Sequence, residues 1–259
     1  MRKEGLNMRK TMLAAAIGAA LMGSVGTAHA YLIFSGEDIN SSSSNPLTSI
    51  PNSAAAEAGF LSNLVGVGTE DFEGLATGSF QPLALTFPGA GTATLNGGNG
   101  AVASVAPGST NGFGRYSIPS ASSSNYWEVS AGGSGNFVVN FSDPVAAFGF
   151  YGIDIGDFGG QLELELSNGD VLNVGNTEGS FGSTDGSVLF FGFIAESVGE
   201  LFTSVSFLTT TGQGDVFAFD NFTVGSLEQV NPVPEPTTLA LMGLGLAGLG
   251  YSRRRKRVG

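Results

Sequence analysis

This 259-residue chain carries 22 carboxylates, one histidine and no cysteine, so any chemistry it performs is mainly the chemistry of oxygen. Two carboxylate pairs stand out by spacing. Glu163 and Glu165 alternate with Leu162, Leu164 and Leu166, which on an extended strand puts both acids on one face, roughly 7 Å apart. That separation is in the range used for paired-carboxylate glycoside hydrolysis. A strand with leucine at every other position, however, turns its glutamates to water, and the reaction needs a buried acid. Catalysis is therefore not expected. Asp154 and Asp157, around Gly156, form a second pair and read as acids that solvate a loop. A third group is aromatic. Tyr126 and Trp127 follow a serine-rich turn, with Arg115-Tyr116 upstream. A neutral sugar needs an exposed aromatic plane beside planar polar side chains. Trp127, the only tryptophan, is the candidate for that role with Tyr126; the alternative is a core residue, since tryptophan is usually largely buried.

The two ends of the chain decide which residue types remain in its middle. From Met8, Arg9 and Lys10 precede an apolar run, Met12 to Val25, and Ala28-His29-Ala30 fits a small-x-small cleavage site. The pattern is that of a signal peptide cut after Ala30, with an uncleaved signal anchor as the alternative. Nine of the ten basic residues lie in the first ten or last seven positions, which leaves Arg115. Of the 22 acids only Glu4 lies in those ends, so 31–236 holds 21 acids against one base, formally −20. Such a charge repels nucleic acid and anionic membrane. It also makes bound cations stabilising by mass action. With His29 removed the middle has no His, Cys or Lys, which excludes Ser-His-Asp and Cys-His catalysis, Schiff-base chemistry and His-ligated zinc.

The elements that must position the remaining groups are strands. Residues 31–67 hold a short strand at Tyr31–Phe34 and a helix capped by Ser53 and running to about Val65, with Ala56, Phe60, Leu61 and Leu64 on one face. From 68 to 226, short apolar runs alternate with Gly, Ser, Asn and Pro, and 41 glycines accompany 20 phenylalanines. Asn168-Gly169 is a strong hairpin turn between two such runs. Phe217 and Phe219, then Phe222 and Val224, line one ribbon. A dozen strands without a helical period between them predict an all-β fold, a β-sandwich of jelly-roll type.

Residues 227–236 read as a linker ending in Val233, Pro234, Glu235 and Pro236, and 237–257 as an apolar transmembrane helix with a basic stop, Arg253, Arg254, Arg255, Lys256 and Arg257. The prolines keep the linker extended, and the basic cluster stays on the cytoplasmic side of an inner membrane. Gly243, Gly245 and Gly248 spell a dinucleotide motif, but no strand precedes them. In this order the parts resemble the PEP-CTERM sorting signal of exopolysaccharide-producing Gram-negative bacteria; an ordinary short tail anchor is the alternative. The resemblance implies recognition and processing by an exosortase, transient anchoring in the inner membrane, and delivery to the cell surface or extracellular matrix.

The middle resembles the jelly-roll ectodomains of such proteins, which look like carbohydrate-binding modules. Phe72-Glu73-Gly74-Leu75, Phe148 to Ile153 and Phe219-Asp220-Asn221-Phe222 carry that resemblance. It implies a structural calcium ion between the opening and closing strands, held by Glu73 and Asp220 with Asp71 nearby. The expected function is a non-catalytic surface protein associated with exopolysaccharide. A module with a defined glycan ligand, or a carboxylate-dependent glycoside hydrolase, stands as the alternative.

Overall fold

The computed structural model describes residues 30–133, 136–180 and 182–231. Ala28, the Val233–Pro236 motif, the C-terminal apolar helix and the Arg253–Arg257 stop lie outside the described residues. Ala30 directly precedes the first strand. Among the described residues no helix is long and apolar enough to cross a membrane.

Thirteen strands and one α-helix occur in this order among the described residues: β1 (Tyr31–Asp38), α1 (Pro51–Leu61), β2 (Gly68–Glu70), β3 (Leu83–Phe87), β4 (Gly91–Asn96), β5 (Ala101–Ser104), β6 (Asn125–Gly132), β7 (Val138–Val145), β8 (Ala147–Ile153), β9 (Leu162–Leu166), β10 (Val171–Asn173), β11 (Val188–Ala195), β12 (Phe202–Thr209) and β13 (Gly214–Gly225). One sheet runs β1-β11-β8-β13-β6-β5 with β2 added on β13, and the other runs β10-β9-β12-β7-β4-β3. Every pairing is antiparallel. The two sheets form a sandwich.

Between them lies a phenylalanine core. Phe137 and Phe207 pack at a 32° tilt with ring centres 4.6 Å apart, and Phe207 meets Phe219 edge-on at 5.0 Å. Each fully buried ring contributes roughly 1.5–3 kcal/mol through the water it leaves. The expected ribbon on β13 needs one correction of phase, because Phe219 and Phe222 are three apart yet face the same core. A register shift between Asp220 and Thr223, with Asn221 at φ +49°, inserts the extra residue. A bulge of this kind restores the alternation.

The first sheet is also covered on its outer side, which explains why β8 and β11 are buried at every position. Helix α1 packs there. A Cβ at Gly149 or Gly192 would stand 2.8 or 2.7 Å from the Phe60 ring, so two side-chain-free positions on adjacent strands make the slot the ring fills. Pro51 opens the helix, in place of the expected Ser53 cap. Ser53 is buried and donates through Oγ to Asp38 Oδ2 (2.7 Å). Asp38, on β1, accepts the first-turn N–H groups of Asn52 and Ser53 at 3.2 and 2.9 Å. The cap is thus tertiary, from a carboxylate that no local pattern announces.

The expected sugar platform is also corrected. Trp127 is fully buried against Phe72 in the inter-sheet core, and Tyr126 is buried on the outer side of the same sheet. Neither ring presents a face to solvent, because this sheet is packed on both sides.

Candidate metal centre

The calcium ligands expected from resemblance are neighbours in the backbone but do not converge. β2 pairs with β13 through Phe222↔Glu70, so the opening and closing strands do lie side by side. The carboxylates then serve separate backbone donors. Asp71 Oδ1 accepts from Glu73 N (3.1 Å), and Glu73 Oε1 accepts from Ser124 N and Asn125 N (2.7 Å each). Asp220 is wholly buried on the outer side of the sheet. Its Oδ2 accepts from Ser117 Oγ (2.8 Å) and Ile118 N (2.7 Å), and Oδ1 from Asn221 N (2.8 Å). Burial pushes its carboxyl well above the usual range, against the pull of those donors. The trio works as struts that tie loops to strands. Glu163 and Glu165 lie on one face of β9, neither of them buried.

The acids that do converge are Asp154, Asp157 and Asp185, each offering one oxygen with all three oxygens within 4.8 Å of one another. Topology brings them together. Strands β11, β8 and β13 are adjacent, and Ile153, the last residue of β8, pairs with Val188 at the start of β11 and with Ala218 near the start of β13. Asp154 and Asp157 therefore leave β8 at the same end of the sandwich from which Asp185 enters β11 and Asp215 enters β13.

Each member is held differently. Asp154 is 2% exposed and sits at φ +67°, in the left-handed region. Its Oδ1 accepts from Gly186 N (2.9 Å) and its Oδ2 from Arg115 Nη1 (3.3 Å). Gly114, at φ +87°, lies so close to that Oδ1 that a Cβ there would collide with it. Asp185 is buried and accepts from Gly182 N (2.6 Å) through Oδ1. Asp157 is the exception. Its Oδ1 is sealed from solvent and has no hydrogen-bond partner.

The electrostatics follow. Burial raises the Asp154 carboxyl to about 6, opposed by Gly186 N–H and Arg115. Burial first, and then its hydrogen bond and repulsion with Asp215, raise Asp157 to about 8. Buried like charges resist joint ionisation, and a cation between them removes that conflict. Arg115 supplies only part of the countercharge, because its Nε also serves Glu128 Oε2 at 2.9 Å. Three hard oxygen donors, from carboxylates of which Asp157 has an oxygen without a partner, could hold a divalent metal ion.

Sequence reading had paired Asp154 with Asp157 but assigned them to solvation. Asp185 and Asp215 lie 28 and 58 residues beyond Asp157, and only the strand order brings them near.

A cavity of about 350 Å³ opens beside the cluster, lined by Phe113, Arg115, Asp154, Asp157, Phe158, Gln213, Gly214 and Asp215. Its outer lip is Phe113, 62% exposed. The Phe113 loop is pinned: Asn111 Oδ1 accepts from Phe113 N (2.9 Å) and Arg115 N (3.2 Å), and Gly114 N donates to Ser43 O (2.9 Å).

Comparison with known proteins gives two findings. Residues 232–256 match the family model described as the PEP-CTERM protein-sorting motif, which implies export and exosortase-mediated sorting to the cell surface. The K2 cleaved adhesin domain of Lys-gingipain, a solved structure, is 13% identical, covering 61% of this chain and 97% of that one, with a TM-score of 0.35. No curated protein matches the chain.

Proposed function

We propose that the chain is an exported, non-catalytic surface or matrix protein, sorted by an exosortase, whose sandwich associates with exopolysaccharide and is stabilised by calcium. The observation that carries it is the matched sorting motif at 232–256, directly after a described sandwich that ends near Asn231. A compact passenger followed by a processing address suits display. The expected partners follow from that order: an exosortase for processing, and the inner membrane before it.

The sandwich itself we read as a jelly roll. From β6 onward the strands fall β6-β13-β8-β11 in one sheet and β7-β12-β9-β10 in the other. That is the interleaved order of an eight-stranded double Greek key. On this reading β1, β2, β3, β4, β5 and α1 are additions at its edges and outer face.

Calcium is assigned to Asp154, Asp157 and Asp185 rather than to Glu73, Asp220 and Asp71. Carboxylate oxygens without imidazole or thiolate favour a hard ion, and calcium accepts the irregular oxygen shells that loops provide. The sorting reading is tested by changing Pro234 and Pro236 to Ala. Uncleaved protein should accumulate in the inner membrane, and normal processing of the double variant would overturn it.

A further inference from the structure

We propose that the cavity between Phe113 and Asp215 is a binding site for one neutral hexose unit of a polysaccharide. The inference deepens the exopolysaccharide reading, on which it rests; the cation assigned to the adjoining carboxylates bears only on its charge argument.

Four features of the cavity carry it. The first is an unburied aromatic face. Phe113 is largely exposed on a loop fixed from both sides, and the Arg115 guanidinium carbon lies 5.6 Å from its ring centre. A rigid loop that spends hydrogen bonds to hold a phenyl ring in water is explained by a ligand that stacks on it. The apolar C–H face of a hexose is of that kind. The second is the opposite wall, where half-buried Phe158 is fixed against Phe217 at 5.6 Å.

The third is the polar set between the rings. Arg115 donates, Asp215 accepts, and the exposed Gln213 can do both. Planar groups of this kind match paired hydroxyls. The volume, about 350 Å³, sits at the small end of ligand sites and admits one sugar unit rather than a chain. The fourth is charge. Asp154, Asp157, Asp185 and Asp215 face a single arginine, which repels uronic acids and sulfated sugars. A divalent cation on the first three brings the formal balance of these groups from −3 to −1, which weakens the attraction for an amine, still opposes an anion and leaves an uncharged polyol as the complementary ligand.

The test uses the full-length chain in mild detergent on an array of neutral gluco-, galacto- and manno-oligosaccharides, oligogalacturonate and oligoglucosamine, with 1 mM calcium or with chelator. Titration calorimetry follows for the best binder. Binding of a neutral oligosaccharide in calcium is expected, weakened at least tenfold by Phe113→Ala, a surface change that leaves the melting temperature in place. Oligogalacturonate should not bind. If no neutral sugar binds, if Phe113→Ala binds as well as the parent, or if oligoglucosamine is preferred in calcium, the inference falls. A calcium heat that persists in Phe113→Ala, with no sugar heat in either protein, would sink this inference alone and leave the cation reading standing. No calcium heat, together with sugar binding lost in Phe113→Ala, would leave the sugar site standing and remove the cation assignment.

Discussion

Asp220 and Asp157 are both aspartates drawn into the protein, both with carboxyls raised by burial, yet their surroundings differ in kind. Asp220 is enclosed by three donors that the fold brings to it. Asp157 has acidic neighbours and one oxygen that nothing reaches. A buried acid with its donors supplied by the chain is part of the framework. A half-buried acid whose sealed oxygen has no donor, beside its own kind, is complete only with something from outside. Burial alone does not tell the two apart; the inventory of partners does.

The largest expected effect comes from breaking the framework side. Asp220→Ala orphans the Ser117 hydroxyl and the Ile118 N–H inside the outer layer. It should cost roughly 2–4 kcal/mol in denaturant unfolding, with no rescue by calcium. Rescue by calcium, or no loss, would erase the contrast. Next is calcium itself. At a free concentration 100 times its dissociation constant the ion should add about 2.7 kcal/mol, seen as a melting temperature higher by roughly 5–10 °C for a domain of this size. Asp157→Asn should abolish that gain. A melting temperature indifferent to chelator would put the cluster in the same class as Asp220.

A smaller effect is the pH dependence. Asp154 and Asp157 have folded values of about 6 and 8, above the ordinary carboxyl value, so the folded state binds more protons than the unfolded one between about pH 4 and 8. Stability in chelator should therefore rise as pH falls through that window. In calcium the slope should reverse over its upper part, because protons then compete with the ion. Thermal melts at pH 5, 6.5 and 8 in both conditions would read this, and equal slopes would refute it. Smallest is the effect of Asp157→Asn in chelator, which should flatten the pH slope because a neutral amide takes up no proton on folding; a slope equal to the parent's would mean that Asp157 does not titrate in that window.

The strands were legible because their apolar runs are short and bounded by turn residues. Asn168-Gly169 marks the β9–β10 turn, and Gly169 takes the positive φ of 93° that the dipeptide favours. Asp38 as the cap of α1 was not legible, since it acts from another element. Nor was the fate of Tyr126 and Trp127. In a sheet exposed on one side adjacent residues separate into core and surface, but here α1 and the 105–124 loop cover the second side, and both are buried. The candidate site was half visible. Asp154 and Asp157 share a loop, whereas Asp185 and Asp215 join them through the β11-β8-β13 neighbourhood, which depends on pairings more than 30 residues apart. The resemblance placed the opening and closing strands correctly. It misassigned their carboxylates because backbone adjacency does not fix which donor each side chain finds.

One pairing bears on how the molecule is made. All eight residues of β1 are matched to β11, from Tyr31↔Ala195 to Asp38↔Val188. A chain threaded amino end first through a membrane pore presents its leading strand about 150 residues before the template for it arrives. Until then the strand has no mate. Closure across so long a loop is slow, so the edge that β1 covers on β11 stays open while pairs nearer in sequence can already form.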